Sequence, residues 1–556
     1  MVLPADRRSA VEAVGDPDAW KQSHSVRGEE SPLTGTDFAA QPATQIAAFL
    51  RTWRSDAEPR RQTVSALALE LRNAAVQDPA KYAHAAMEFA DVPAAYVHRL
   101  LEGLAEAAGN RRDFLWPQVL RLLDATFARW QQSVDPASIA EGNDPSWQWA
   151  CAAGVRLLKA GLQRGAEGVP FEHKVAVQAM VLALQRLAPR DPEGEDFEQQ
   201  FERDPYFAAE STLRGSAVEL GVLLIFWLSQ EDGSPFAATP RGALDMTPEI
   251  REALDAELAD QTSSGRIPRA VFGRYLHWLF YFGEAWLTAR MGSIFPKADE
   301  LRRAAWLGHL LHDRGPRGEL LPFLQPEYAR SIDQLGEETK DREEHAQKRL
   351  GNHLLILYLQ GHLDLQPGGL LDRFLLKASP RLRQHVMWSL GVQLKHPLDQ
   401  FPEALRARAL AYWDSRLAAG EAAPDRTGFQ EELGSIGQWC ENHQLEPDWL
   451  FDNVLRMLRS GFVPSIAHNV VEWLVKISAT HADRAVQVLE ALVANPSIDH
   501  YMGQEQSIRA VLIAGQARGT PATIERVGEV VSYLASIGQT GYLDVARPTQ
   551  GAEAQQ

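Results

Sequence analysis

The sequence predicts an all-α fold: an irregular, HEAT-like array of helical hairpins, an α-solenoid or superhelix. Three observations lead there. From about Thr44 onward, segments of 12–18 residues carry apolar side chains at helical spacing. No stretch of four or more residues alternates convincingly, and β-branched residues are few beside Ala, Leu, Glu, Gln and Arg, which are strong helix formers. Short turns with Gly, Pro or Asn separate the segments, so neighbouring helices must pack antiparallel.

Taken in order, residues 1–43 are rich in charge, Gly, Pro, Ser and Thr, as in HSVRGEESPLTGTD. They read as a flexible N-terminal arm with room for one short helix. Residues 44–330 form a first half of the array. Within it TVSALALELRNAAV places Val64, Leu67, Leu71 and Ala75 on one stripe. RDFLWPQVLRLLDATFARW places Val119, Leu122, Leu123, Phe127 and Trp130 on one face, with Pro117 in the first turn, where its missing N–H is not needed. LGVLLIFWL (Leu220–Leu228) is the most apolar run. A bilayer crossing needs about 20 such residues, so it reads as a buried helix. Stretches 188–205 and 229–249 are acidic or Pro-rich and read as loops.

FGRYLHWLFYFGEAWLTARMGSIFP (272–296) is the aromatic high point: eight of its 25 residues are Phe, Trp or Tyr. Phe272, Tyr275, Leu276, Leu279 and Phe280 follow the spacing of a buried face, and Gly283 marks a turn before a second short helix carrying Trp286. A helix apolar nearly all round is expected at the centre of the array. The charged run 330–349 is the candidate boundary, and residues 331–545 form the second half. Here EPDWLFDNVLRMLRSG, PSIAHNVVEWLVKISAT, HADRAVQVLEALVANP, QEQSIRAVLIAGQARG and PATIERVGEVVSYLASIG succeed one another as helices. No strict period of 34 or 40 residues emerges, so tetratricopeptide repeats are not supported and irregular, HEAT-like packing is the better description. Residues 546–556 read as a flexible tail.

With 73 acidic and 56 basic residues the net charge is −17, and no Lys/Arg run exceeds two residues. A non-specific nucleic-acid binder would need a basic face, so there is no strong nucleic-acid signal. Two cysteines, Cys151 and Cys440, give no disulfide framework or metal cluster, and a cytoplasmic location is expected. The N-terminus has no apolar core of signal-peptide length, and no membrane association is expected.

Several fragments could carry chemistry. LGHLLHDRG holds His309, His312 and Asp313. A His–Asp pair of this kind ligates metal in the all-helical HD-type phosphohydrolases, given an earlier His and a later Asp, for which His277 and Asp364 are available. The plainer reading has Asp313 accepting backbone N–H bonds in the turn before RGPRG. His345 and His353 lie eight residues apart, two helical turns, too far for one ion, and read as part of a solvated charged face. Cys440 has His443 three residues on, with nothing to fix a thiolate. Arg214 and Glu219 sit near the start of an apolar helix, where Arg214 is expected to bond a neighbouring carbonyl or carboxylate. QPGGLLDRF reads as a two-glycine turn before a helix, and no phosphate loop, dinucleotide fingerprint or nucleophile elbow occurs. No catalytic, cofactor-binding or metal residue is assigned.

Four stretches together, 211–228, 269–296, 433–458 and 468–493, with VVSYLASIGQTGYLDV (530–545) after them, carry ordered Trp, Gly and Arg patterns. They resemble the C-terminal α-helical-repeat region of large bacterial antiphage-defence-type proteins, in which an NLR-like NTPase or sirtuin-like effector is fused to a helical array. The resemblance covers roughly residues 200–545 and no effector or NTPase motif accompanies it, so it implies only the sensing or scaffolding role. The expected function is therefore a non-catalytic scaffold or sensor that binds another protein, encoded by an adjacent gene in one version of this reading. The alternatives are a metal-dependent HD-type hydrolase, or a split C-terminal subunit of a larger sensor NTPase.

Overall fold

The structure, a computed structural model, describes residues 30–55, 62–133, 147–188, 195–231, 242–313, 315–336, 341–395, 402–442, 445–495 and 504–546. Among these the regular elements are α-helices and short 3-10 turns, with one isolated bridge between Glu30 and Gln62 and no β-strand. The all-α expectation holds. Two compact units divide the chain, Met1–His312 and Asp313–Gln556, so the charged run 330–349 lies inside the second unit.

The first unit contains α1 (Gly35–Ala40), α2 (Ala43–Thr52), α3 (Val64–Gln77), α4 (Pro79–His84), α5 (Ala94–Gly109), α6 (Trp116–Ser133), α7 (Trp147–Gln163) and α8 (Lys174–Leu187). It continues with α9 (Glu195–Arg203), α10 (Pro205–Ser211), α11 (Leu213–Leu228), α12 (Pro248–Leu258), α13 (Arg266–Arg274), α14 (Leu276–Phe282), α15 (Glu284–Ile294) and α16 (Asp299–His312). Helices α3, α5 and α7 stack in succession, α7 and α8 pack on α11, and α13 packs along α16. The predicted stripes point inward: Leu67, Leu71 and Ala75 on α3 are buried, as are Val119, Leu122, Leu123, Phe127 and Trp130 on α6. Along α11 every residue from Arg214 to Ile225 is buried, which is why its sequence shows no polar face.

Three expectations need correction. Part of the supposed arm belongs to the core: α1 is closed by a Thr34–Asp37 capping box, and Phe38 is fully buried with its carbonyl accepting from the Tyr82 hydroxyl at 3.2 Å. Residues 1–29, like the tail 547–556, lie outside the described residues. The 188–205 stretch is not all loop, because α9 forms within it; its Phe197 and Phe201 sit under the Arg266 guanidinium, at 5.7 and 4.5 Å from the ring centroids. In the aromatic stretch the helix breaks at Tyr275, whose φ of −104° and ψ of 13° leave the α region. The break rotates α14 relative to α13, so Phe282 is buried and Phe280 only half-buried.

The second unit contains α17 (Leu321–Asp333), α18 (Asp341–Leu359), α19 (Leu370–Lys377), α20 (Pro380–Gln393), α21 (Glu403–Ala422) and α22 (Thr427–Leu433). It ends with α23 (Ile436–Cys440), α24 (Pro447–Arg459), α25 (Ala467–Ile477), α26 (Ala482–Val493), α27 (Glu505–Arg518) and α28 (Pro521–Ser536). The five helices read near the chain's end all form. Packing runs between alternate helices: α17 on α19, α18 on α20, α20 on α22 and α23, α23 on α25, α25 on α27, and α24 on α26 on α28. Tight turns such as that at Gly461, with φ of +83°, reverse the chain between layers.

Ion pairs between stacked helices expose the repeat. In the second unit Asp333 pairs with Arg373, Glu421 with Arg456, Asp452 with Arg484, and Glu490 with Arg526, at sequence separations of 40, 35, 32 and 36. In the first unit Arg72 pairs with Glu106, Asp91 with Arg129, and Asp255 with Arg290, at separations of 34, 38 and 35. The unit of repetition is thus one hairpin of variable length, so no strict period shows in the sequence.

Candidate functional site

Most of the polar groups singled out in the sequence close on structural partners. Arg214, 3 % exposed, donates from Nε to Glu257 Oε2 at 2.8 Å, from one terminal nitrogen to Asp260 Oδ2 at 2.9 Å, and from the other to the Ser264 carbonyl at 3.1 Å. That is the bonding expected of it. Burial opposes the Asp260 charge, but bonds from Thr262 and Arg214 outweigh it and hold the carboxyl down at about 2. Glu219 accepts from the Tyr206 and Tyr275 hydroxyls at 3.0 and 2.6 Å and faces the Lys159 ammonium at 2.5 Å. Burial disfavours the Lys159 charge, yet Glu219 and Glu210 beside it raise its pKa.

The candidate metal residues do not converge. His312 Nε2 lies 2.8 Å from Asp204 Oδ1, in the turn that opens α10. Asp313 Oδ1 accepts from the Gly315 N–H at 3.0 Å, the turn bond anticipated for it. Asp364 accepts from the Gln366 N–H at 3.1 Å in a turn of its own. The His277 ring lies against Trp278. His309 is buried against Trp306, and burial, with His277 and Arg274 nearby, pushes its pKa down to about 3. Among the described residues no three His, Cys, Asp or Glu side chains approach closely enough to hold a metal ion.

His345 is exposed, but the solvated-face reading fails for His353, which is 1 % exposed. Its Nε2 lies 2.8 Å from the Asp313 carbonyl and its Nδ1 3.0 Å from the Tyr328 hydroxyl. A carbonyl only accepts, so Nε2 carries the proton and Nδ1 accepts from Tyr328; both nitrogens are satisfied, and burial costs little. Cys440 is fully buried and its thiol is pushed up by burial, the opposite of an activated nucleophile; His443 lies outside the described residues.

Several buried arginines escaped sequence reasoning because an Arg in a helix usually reads as surface. Arg269, fully buried, donates to the carbonyls of Leu258, Asp260, Gly265 and Ser293 at 2.7 to 3.0 Å. It thereby satisfies backbone carbonyls at the end of α12 and in α15. Arg383 and Arg416 both bond Glu432, whose carboxylate is fully buried between them, and both lie over the Phe429 ring.

Among the described residues, one layer of the second unit sets an exposed aromatic and several charged side chains beside a cleft. Arg381, His385, Trp388 and Lys395 share a single face of α20 and the turn beyond it. Trp388 is 44 % exposed with the His385 ring stacked beside it at 6.4 Å. Burial and the nearby Lys348 lower the His385 pKa. Lys395 pairs with Glu441, which also accepts from Gln438 at 2.9 Å; these bonds hold the Glu441 carboxyl below the usual carboxylate range. Beyond them a cleft of about 350 Å³ opens, lined by Lys395, Cys440, Glu441, Glu472, Trp473 and Lys476. Arg381 and Lys476 are exposed, and their charges bear on the carboxylates of Glu344 and Glu441 respectively. The arrangement offers recognition groups: an aromatic plate, exposed charges of both signs and a small cleft.

No single helix is long and apolar enough to cross a membrane. No protein-family model matches the chain. A search of curated proteins returns no match either.

Proposed function

We propose that the protein is a non-catalytic helical-repeat scaffold or sensor that binds another protein through the α20–α23–α25 layer of its second unit. The observation that carries this reading is the contrast between two kinds of polar group. The buried ones, Arg214, Glu219, Arg269, Glu432 and His353, are held by structural partners. The exposed groups around Trp388, by contrast, face solvent beside a cleft. Stacked hairpins suit such a role because each contributes one strip of side chains to a continuous surface. The resemblance to defence-type helical arrays supports a role in antiphage defence in a bacterial cytoplasm, with a partner encoded next door.

The test is capture of a partner from the native host on tagged protein, then reconstitution from two purified components. Stoichiometric binding in titration calorimetry supports the reading. It is lost if no captured protein binds once purified, or if the purified chain turns over nucleotide or NAD.

A further inference from the structure

We propose that the cleft between α23 and α25 binds a free α-amino acid with an apolar side chain, a role beyond the protein-binding one and independent of it. Five carboxamide side chains are buried among the described residues: Gln185, Gln438, Asn442, Asn453 and Asn469. Four are satisfied inside the protein. Gln185 donates to the Ala217 carbonyl, Gln438 to Glu441, Asn442 to the Leu394 carbonyl and Asn453 to the Trp449 carbonyl. The Asn469 amide belongs to a residue only 8 % exposed, lines the cleft, and makes no hydrogen bond to a described residue. A buried amide without partners is costly, and one that faces a cleft is placed to be completed by what enters it.

The walls define the ligand. Asn469, Glu472, Trp473 and Lys476 stand at i, i+3, i+4 and i+7, so a single face of α25 forms one wall. Glu472 and Lys476 have the spacing at which Glu and Lys commonly pair, yet they do not close on each other. Glu472 turns to the Ser507 hydroxyl at 2.6 Å, and Lys476 bears on Glu441, which Lys395 already engages. A carboxylate and an ammonium are thereby presented one helical turn apart, about 6 Å of rise. Two lysines and two glutamates leave the lining without net charge, which suits a molecule carrying one charge of each sign better than an anion or a cation. An α-amino acid carries both on one carbon. Its ammonium donates to Glu472 and to the Asn469 amide oxygen, and its carboxylate accepts from Lys476. The buried Trp473 and Cys440 make the floor apolar, which selects an apolar side chain, and a volume of about 350 Å³ suits a molecule of that size.

The probes are the twenty common free amino acids at millimolar concentration, screened by thermal shift on the full chain and followed by titration calorimetry. At least one apolar member is expected to raise Tm and to bind at one site per chain. Its N-acetyl amide derivative keeps the side chain, loses both charges, and should bind at least about tenfold more weakly. Glu472→Gln and Lys476→Gln should each weaken binding about tenfold. Arg459→Gln, at an exposed cation on another helix, should change it less than about twofold. Asn469→Leu should abolish binding while leaving the Tm of the empty protein unchanged or raised, because it removes an unpaired buried amide. Circular dichroism checks that each variant remains folded. No binding by any of the twenty, equal affinity for the blocked derivative, indifference to both charge variants, or early melting of Asn469→Leu overturns the inference. A captured partner that binds stoichiometrically while no amino acid does sinks the cleft and leaves the scaffold reading intact.

Discussion

At the scale of single residues, the fold depends on a few positions where chemistry leaves no choice. Gly273 and Gly308 bring α13 and α16 into backbone contact: a Cβ on Gly308 would sit 2.2 Å from the Ala270 carbonyl oxygen, and one on Gly273 1.9 Å from that of Ala305. Neither carbonyl can move without disturbing its own helix. Gly308→Ala is therefore expected to destabilise the protein by about 1–3 kcal/mol or more, read from the urea midpoint. Glu432 is the second such position. Replacing it with Gln leaves Arg383 and Arg416 buried without their counter-charge, at a loss of about 3–5 kcal/mol. A Glu432→Gln variant with an unchanged midpoint would show that water reaches the two guanidinium groups.

At the scale of elements, the break at Tyr275 decides what the aromatic stretch does. A continuous helix would bury Phe280; the interrupted one buries Phe282, with Trp278 stacked beside it at 6.1 Å. Phe282→Ala is expected to cost about 3–5 kcal/mol, and Phe280→Ala less than half of that. The reverse order in thermal melts would mean the helix runs unbroken. The C-terminal helices were legible because each carries its own start and stop: Pro447 opens α24, Pro521 opens α28, and Gly461 and Gly538 take positive φ where the chain turns. α9 was not legible, because its acidic sequence shows no apolar stripe beyond two phenylalanines, and those pack beneath Arg266.

At the scale of the whole molecule, buried histidines tie stability to pH. Burial, the leading cause in each case, holds His98 at about 4 and His309 at about 3. Both lie below the unfolded value of about 6.5, so on acidification the unfolded chain takes up protons that the folded chain refuses. Stability should fall as pH drops from about 6.5 toward 4, by up to about 1.4 kcal/mol per pH unit for each histidine. Denaturant midpoints measured across that range should show the slope, and His98→Gln with His309→Gln should flatten it. A slope unchanged in the double variant would assign the acid sensitivity to carboxylates.

The class of fold, most of the helices and the absence of familiar motifs were readable from the chain alone, because they depend on local properties: period, propensity, and Gly and Pro at helix ends. Single bonds made within a few residues, as at Asp313, could be anticipated in the same way. Which polar residues lie inside was settled by tertiary packing. Arg269, His353 and Glu432 look like surface residues because their partners stand on other helices or turns, 24, 40 and 49 residues away in the cases of Ser293, Asp313 and Arg383. The strip around Trp388 was hidden for the same reason: α20, α23 and α25 form one surface only after stacking, and no local pattern records which helices become neighbours.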